Sequence, residues 1–178
     1  MTALDKPTLT LEMPVTLRLA TYDDLPRLEW YGQYTHFRAL FRRTYQEQLQ
    51  HRRLMLVADC NDFPIGNLFV QLRGGEQRQT DGRRRAYFYS LRVMEMFQGH
   101  GIGTSLIYEA EQLAAEQHFQ WATIAAATDN PRARRLYERL GYNVFAQDDG
   151  KWSYRDHENR VRYVHEPCWV LEKRIEVR

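Results

Sequence analysis

Three glycines alternate at Gly99, Gly101 and Gly103, and no other feature of the 178-residue chain restricts its fold as much. Glycine turns left-handed without steric cost and lets other groups approach the backbone closely. Ahead of the glycines runs Tyr87 to Val93, YFYSLRV, whose aromatic and β-branched residues predict a strand. After them Leu106, Ile107, Ala110, Leu113 and Ala114 recur at helical spacing, predicting a helix from Ile102 to about His118. A strand, a glycine turn and a helix in that order make an anion site, because first-turn N–H groups and the helix dipole both favour negative charge.

The rest of the chain supplies a sheet for that unit. Residues 1–14, with Pro7 and Pro14, read as an N-terminal arm, and 15–178 as a single domain. Val15 to Ala20 alternates as a first strand. Leu25 to about Gln50 reads as two short helices burying aromatics, with Tyr31 or Tyr34 facing an acceptor pocket. Leu54–Asp59 and Ile65–Leu72 are strands two and three. Arg73–Arg85, with five arginines and Asp81-Gly82, reads as a solvated hairpin loop before strand four. Trp121–Ala126 is a strand buried on both faces, and Asn130-Pro131 starts a helix that Gly141 stops. Tyr142–Gln147 and Cys168–Arg174 complete the strands, with a polar, aromatic-containing segment, Lys151–Glu166, between them. If exposed, the last strand would pair between subunits, so monomer and homodimer are both open.

Composition narrows the function. With 25 Lys+Arg against 23 Asp+Glu, the net charge of +2 demands no nucleic acid and suits a small anion equally well. Cys60 and Cys168 fit neither a disulfide framework nor a zinc motif, so no metal is expected. The N-terminal residues lack the pattern of a signal peptide, and no run nears the roughly 18 apolar residues of a membrane span. The expectation is a cytoplasmic protein.

Of the phosphate-binding patterns, a P-loop is excluded because Ile102, not lysine, stands in the glycine turn ahead of Gly103-Thr104. A Rossmann turn fits poorly, since the glycines alternate throughout and mixed strands precede them. Gln98-Gly99-His100-Gly101-Ile102-Gly103 matches Gln/Arg-x-x-Gly-x-Gly/Ala in full, and TDNPRARRLYERLGY, Thr128 to Tyr142, follows one strand later. Together these motifs resemble the GNAT superfamily of acetyl-CoA-dependent N-acetyltransferases, most specifically over about residues 54–147.

The resemblance implies an α/β (α+β) fold: a mixed, mostly antiparallel sheet of about seven strands, with helices on both faces and a splay between strands four and five. It implies acetyl-CoA as co-substrate. The pyrophosphate would lie on the backbone of Gly99, His100, Gly101, Ile102, Gly103 and Thr104, after Gln98. Leu91, Arg92 and Val93 would pair with the pantetheine arm, and a Val93 N–H would steady the oxyanion. Asn130 has two readings, a hold on the cofactor arm and a helix cap. Tyr137 matches the tyrosine that protonates the departing thiolate. No carboxylate or histidine base stands on strand four; Tyr87 and Tyr89 are weak bases, better suited to touching a water relay. The alternative class is a catalytically inactive acyl-CoA-binding sensor of the same fold. Two departures stand out: Met94-Glu95-Met96 replaces an acidic residue or histidine followed by proline, and Gly99 replaces a basic residue. The acceptor is open among polyamines, aminoglycosides, amino acids and protein N-termini, to be read by Glu29, His36, the early aromatics and the Lys151–Glu166 segment.

Overall fold

The computed structural model describes residues 11–73 and 85–177. Nine strands and three α-helices are described: β1 Thr16–Leu19, α1 Arg38–Leu49, β2 Arg53–Cys60, β3 Phe63–Gln71, β4 Arg85–Val93, α2 Ile102–Glu116, β5 Trp121–Ala127, α3 Pro131–Arg139, β6 Asn143–Asp148, β7 Lys151–Arg155, β8 Val161–His165 and β9 Cys168–Arg174. Seven strands form one sheet in the order β1-β2-β3-β4-β5-β9-β6, and β7 and β8 form a separate hairpin. Only β4 and β5 pair in parallel among the described strands.

Two apolar layers cover the sheet. On one face Leu106, Ile107, Ala110 and Ala114 of α2 and Tyr137 of α3 pack on Phe88, Ala122 and Ile124. On the other, Phe41 of α1 packs with Leu25, Leu28, Met55, Val57 and Phe69. The core strands are buried on both faces, so β2 and β3 read as nearly continuous apolar runs.

The expected pair of early helices is instead one helix, α1, preceded by three single 3-10 turns at Tyr22–Asp24, Arg27–Glu29 and Thr35–Phe37. Trp30 and Tyr31 are left-handed, at φ 43° and 56°, and break the run. Tertiary bonds favour this path: Trp30 Nε1 donates to Pro64 O at 2.8 Å, and buried Glu29 accepts from Thr35 and twice from Arg38. The last strand is also placed differently from a sheet edge. β9 lies between β5 and β6, antiparallel to both, and β6 is the edge. Most of the arginine loop, 74–84, lies outside the described residues.

The functional opening comes from a ladder that stops early. β4 pairs with β5 only from Arg85↔Trp121 to Phe88↔Ile124, although β4 continues to Val93 and β5 to Ala127 beside β9. The C-terminal ends of the two parallel strands therefore splay apart, as the resemblance implies.

Candidate active site

β4 carries a bulge at the splay. Asn67 pairs with Arg92 and Phe69 with Tyr89, so Ser90 and Leu91 together oppose Leu68. Ser90 is left-handed at φ 55°, and the buried Asn67 amide donates to its carbonyl at 2.6 Å. The extra residue resets the two-residue alternation of the strand. Upstream, Ala86 and Phe88 face α2; downstream, Leu91 and Val93 do. Arg92 is thereby turned to the α1 face, which it shares with Tyr89.

Backbone direction follows from one hydrogen bond. Met94 N–H donates to Ile65 O of β3 at 2.8 Å. By alternation the Val93 and Leu91 N–H groups point to the opposite edge, into the splay, where β5 supplies no partner. Gln98 Nε2 donates to Val93 O at 3.0 Å, so this side chain braces the strand end against the glycine turn.

Gly99 and Gly101 are left-handed, at φ 81° and 82°, with open space where a Cβ would sit; conformation rather than crowding demands glycine there. Gly101 is the N-cap of α2 and makes no side-chain cap, which leaves the first-turn N–H groups of Ile102, Gly103 and Thr104 without an intrahelical acceptor. His100 is exposed, with Nδ1 3.0 Å from Gln98 O. A Cβ on Gly103 would meet Val93 Cγ2 at 3.8 Å, so the helix start abuts the strand end. The glycine turn and the splay are therefore next to each other.

Two groups here escaped the sequence reading. On β3, a Cβ at Gly66 would come within 3.1 Å of Arg92 O and 3.4 Å of Ile102 Cγ2, so glycine admits both neighbours; an isolated glycine in a strand is the available signal. Asn67, which fixes the bulge, carried no signal.

Of the three candidate tyrosines, Tyr87 lies within reach of each of the other two. Tyr87 and Tyr89 stack at 5.7 Å. The Tyr87 phenol lies within electrostatic reach of Cys168, Tyr89, Tyr137 and Asp148, and burial foremost holds its pKa well above the ordinary value. Tyr89 is raised by burial despite accepting a hydrogen bond from Arg53, which also pairs with Glu47. Neither phenol is a base near neutral pH. Tyr137 is buried, and burial pushes its phenol up to about 12, so it keeps its proton. Asn130 is seen as a cap: its side chain accepts from Ala133 N at 3.1 Å.

On the α1 face, Arg92 lies over the rings of Tyr34 and Phe37, with centroids at 4.3 and 4.9 Å. Tyr154 of the β7–β8 hairpin packs on Phe37 at 5.0 Å and His36 at 6.3 Å, so the hairpin lies against this aromatic cluster. Tyr31 takes no part; it is 88% exposed and stacks on Phe63. Glu29 is occupied in holding Thr35 and Arg38. No three His, Cys, Asp or Glu side chains among the described residues gather as metal ligands, and no described helix is long and apolar enough to cross a membrane.

Comparison with solved structures finds the same fold. The chain matches Ard1 from Thermoplasma volcanium with TM-score 0.67 at 17% identity, covering 90% of this chain and 97% of that one. NAA60 from Arabidopsis thaliana, in complex with a bisubstrate analogue, matches with TM-score 0.65 at 18% identity, covering 93% and 100%; NAA60 is also known in complex with acetyl-CoA. The ribosomal-protein-S18-alanine N-acetyltransferase from Escherichia coli matches with TM-score 0.66 at 16% identity, covering 92% and 95%. Among curated proteins no significant match was found. Residues 19–142 match the model of the acetyltransferase (GNAT) family, and with a splayed β4–β5 pair beside a glycine turn the chain belongs to that family.

Proposed function

We propose that the protein is an N-acetyltransferase that moves the acetyl group of acetyl-CoA to a primary amine in a ternary complex, and that residues 15–178 act as one catalytic domain. The observation that carries this reading is the adjacency of the glycine cradle and the open edge of β4, where Gly103 abuts Val93. The Gly99–Thr104 backbone takes the pyrophosphate. The open edge at Leu91 and Val93 takes the amide-bearing arm as a neighbouring strand would.

In the transfer, the amine lone pair attacks the thioester carbonyl. The Val93 N–H stabilises the developing oxyanion, the C–S bond breaks, and an amide and a thiolate form. Tyr137, which holds its proton, donates a hydrogen bond to the departing sulfur. Full proton transfer from a phenol at about 12 to a thiol near 8.5 is uphill by about 5 kcal/mol, so hydrogen bonding rather than complete transfer is its main contribution. The amine loses its proton to water ordered beside Tyr87 and Tyr89, whose phenols are relay points rather than bases.

Release of free thiol from acetyl-CoA over a panel of primary amines tests the reading. Amine-dependent release is expected, and Tyr137→Phe is expected to lower kcat by about 10- to 100-fold with a small change in the KM for acetyl-CoA. Acetyl-CoA binding without release by any amine would make the chain a binding module instead.

A further inference from the structure

Arg92 carries a charge that the fold leaves unanswered. Its Nη1 is buried and has no hydrogen-bond partner, and no ion pair or side-chain hydrogen bond involves this residue among the described residues. Other arginines held within the fold are matched: Arg18 with Asp24 and Asp59, Arg53 with Glu47 and Tyr89, Arg85 with Glu172. The Arg92 guanidinium lies over the rings of Tyr34 and Phe37, with His36 within electrostatic reach, and burial lowers its pKa. Arg92 as a whole is half-buried, and leaving its buried Nη1 without an acceptor is costly, a cost that the rings recover only in part.

Among the described residues, neither Glu29 nor Asp156 is free to answer it. Glu29 is held by Thr35 and Arg38. Asp156, under the hairpin, is held by Arg162 and the N–H groups of Glu158 and Arg160. Nor is the cofactor's phosphate the natural partner, because α2 and its glycine cradle lie against the opposite face of the sheet.

We propose that Arg92 is a specificity residue of the acceptor pocket and binds the carboxylate of a small amine acceptor, an amino acid or close analogue. The proposal rests on the transferase reading above. A guanidinium fork matches a carboxylate with two parallel hydrogen bonds, and the rings of Tyr34 and Phe37 strengthen the pair by excluding water. Arg92 immediately precedes Val93, so the carboxylate site and the oxyanion donor of the proposed transfer stand on adjacent residues of β4. That spacing suits a compact molecule with an amine at one end and a carboxylate at the other. The same unpaired cation disfavours polyamines and aminoglycosides, which bring only like charge to the pocket.

The test uses the full chain with saturating acetyl-CoA and compares alanine, β-alanine and 4-aminobutyrate with their amides. At least one carboxylate is expected to exceed its amide by about tenfold or more in kcat/KM, and Arg92→Met to bring that ratio to about one. Arg92→Lys, which keeps the charge and loses the fork, is expected to give an intermediate ratio. Calorimetry on the CoA-bound protein with the N-acetylated forms supplies a readout independent of turnover: the N-acetyl carboxylate binds more tightly than its amide, and Arg92→Met removes the difference. A ratio near one in the wild type, or a preference that survives Arg92→Met in circular-dichroism-verified protein, overturns the proposal. Arg92-dependent carboxylate binding without thiol release from any amine would sink the transferase reading and leave the carboxylate site standing.

Discussion

At the scale of single residues, burial sets the chemistry of the site. Tyr87, Tyr89 and Tyr137 all have raised pKa values because their phenolates would lose water, so each keeps its proton at neutral pH. His36 moves the other way. Burial first, then the Arg92 charge and His157, lower its pKa against the opposing pull of Asp156. Its NMR titration midpoint is expected below the ordinary value of about 6.5, and Arg92→Met is expected to raise it by removing a like charge. A midpoint that stays put in the variant would disconnect the two residues. The turn at Gly99 and Gly101 and the face of α3 that carries Tyr137 were legible in the sequence, because backbone freedom and helical spacing announce them. Ser90 and Asn67 were not, because a bulge is set by the register of two strands and leaves no local mark.

At the scale of elements, the turn before α2 and the β7–β8 hairpin each support a testable expectation. Gly101→Ala places a methyl in open space but forces a left-handed alanine, at a cost of about 1–2 kcal/mol. The protein is expected to stay folded while the KM for acetyl-CoA rises severalfold; an unchanged KM would remove the turn from cofactor binding. In the hairpin, burial alone would raise the Asp156 pKa, but the bonds from Arg160 N–H, Arg162 and Glu158 N–H outweigh it and hold the carboxyl at about 2. A folded-state pKa below the unfolded value of about 3.9 means that the stabilisation is complete above pH 4 and is lost as pH falls toward 2. Amide exchange in Lys151–His165 is expected to accelerate across that window, and Asp156→Asn to show fast exchange already at neutral pH. The seven strands of the main sheet, α2 and α3 followed from periodicity and caps, whereas β7 and β8 lay in a segment read only as polar and aromatic-containing. The 3-10 turns did not, since Trp30 and Glu29 take their partners from Pro64 and Arg38 rather than from a helical repeat.

At the scale of the whole molecule, a buried polar knot ties α2 to the far side of the sheet. Glu111 accepts from the Tyr142 hydroxyl at 2.9 Å and from Lys173 Nζ at 2.8 Å, joining α2, the start of β6 and β9. Glu111→Ala strands a largely buried ammonium and a buried phenol, and is expected to lower stability by about 3 kcal/mol in urea unfolding. A loss under about 1 kcal/mol would show that the knot contributes little beyond packing. By itself the sequence determined the strand, glycine turn and helix, the second motif from Asn130 to Tyr137, and with them the family, since these rest on local periodicity, backbone freedom and capping. Only the tertiary structure decided that β9 enters between β5 and β6, that a bulge turns Arg92 toward α1, and that the hairpin packs on Phe37. Strand order and side-chain facing depend on pairings between residues far apart in the chain, which local pattern does not encode.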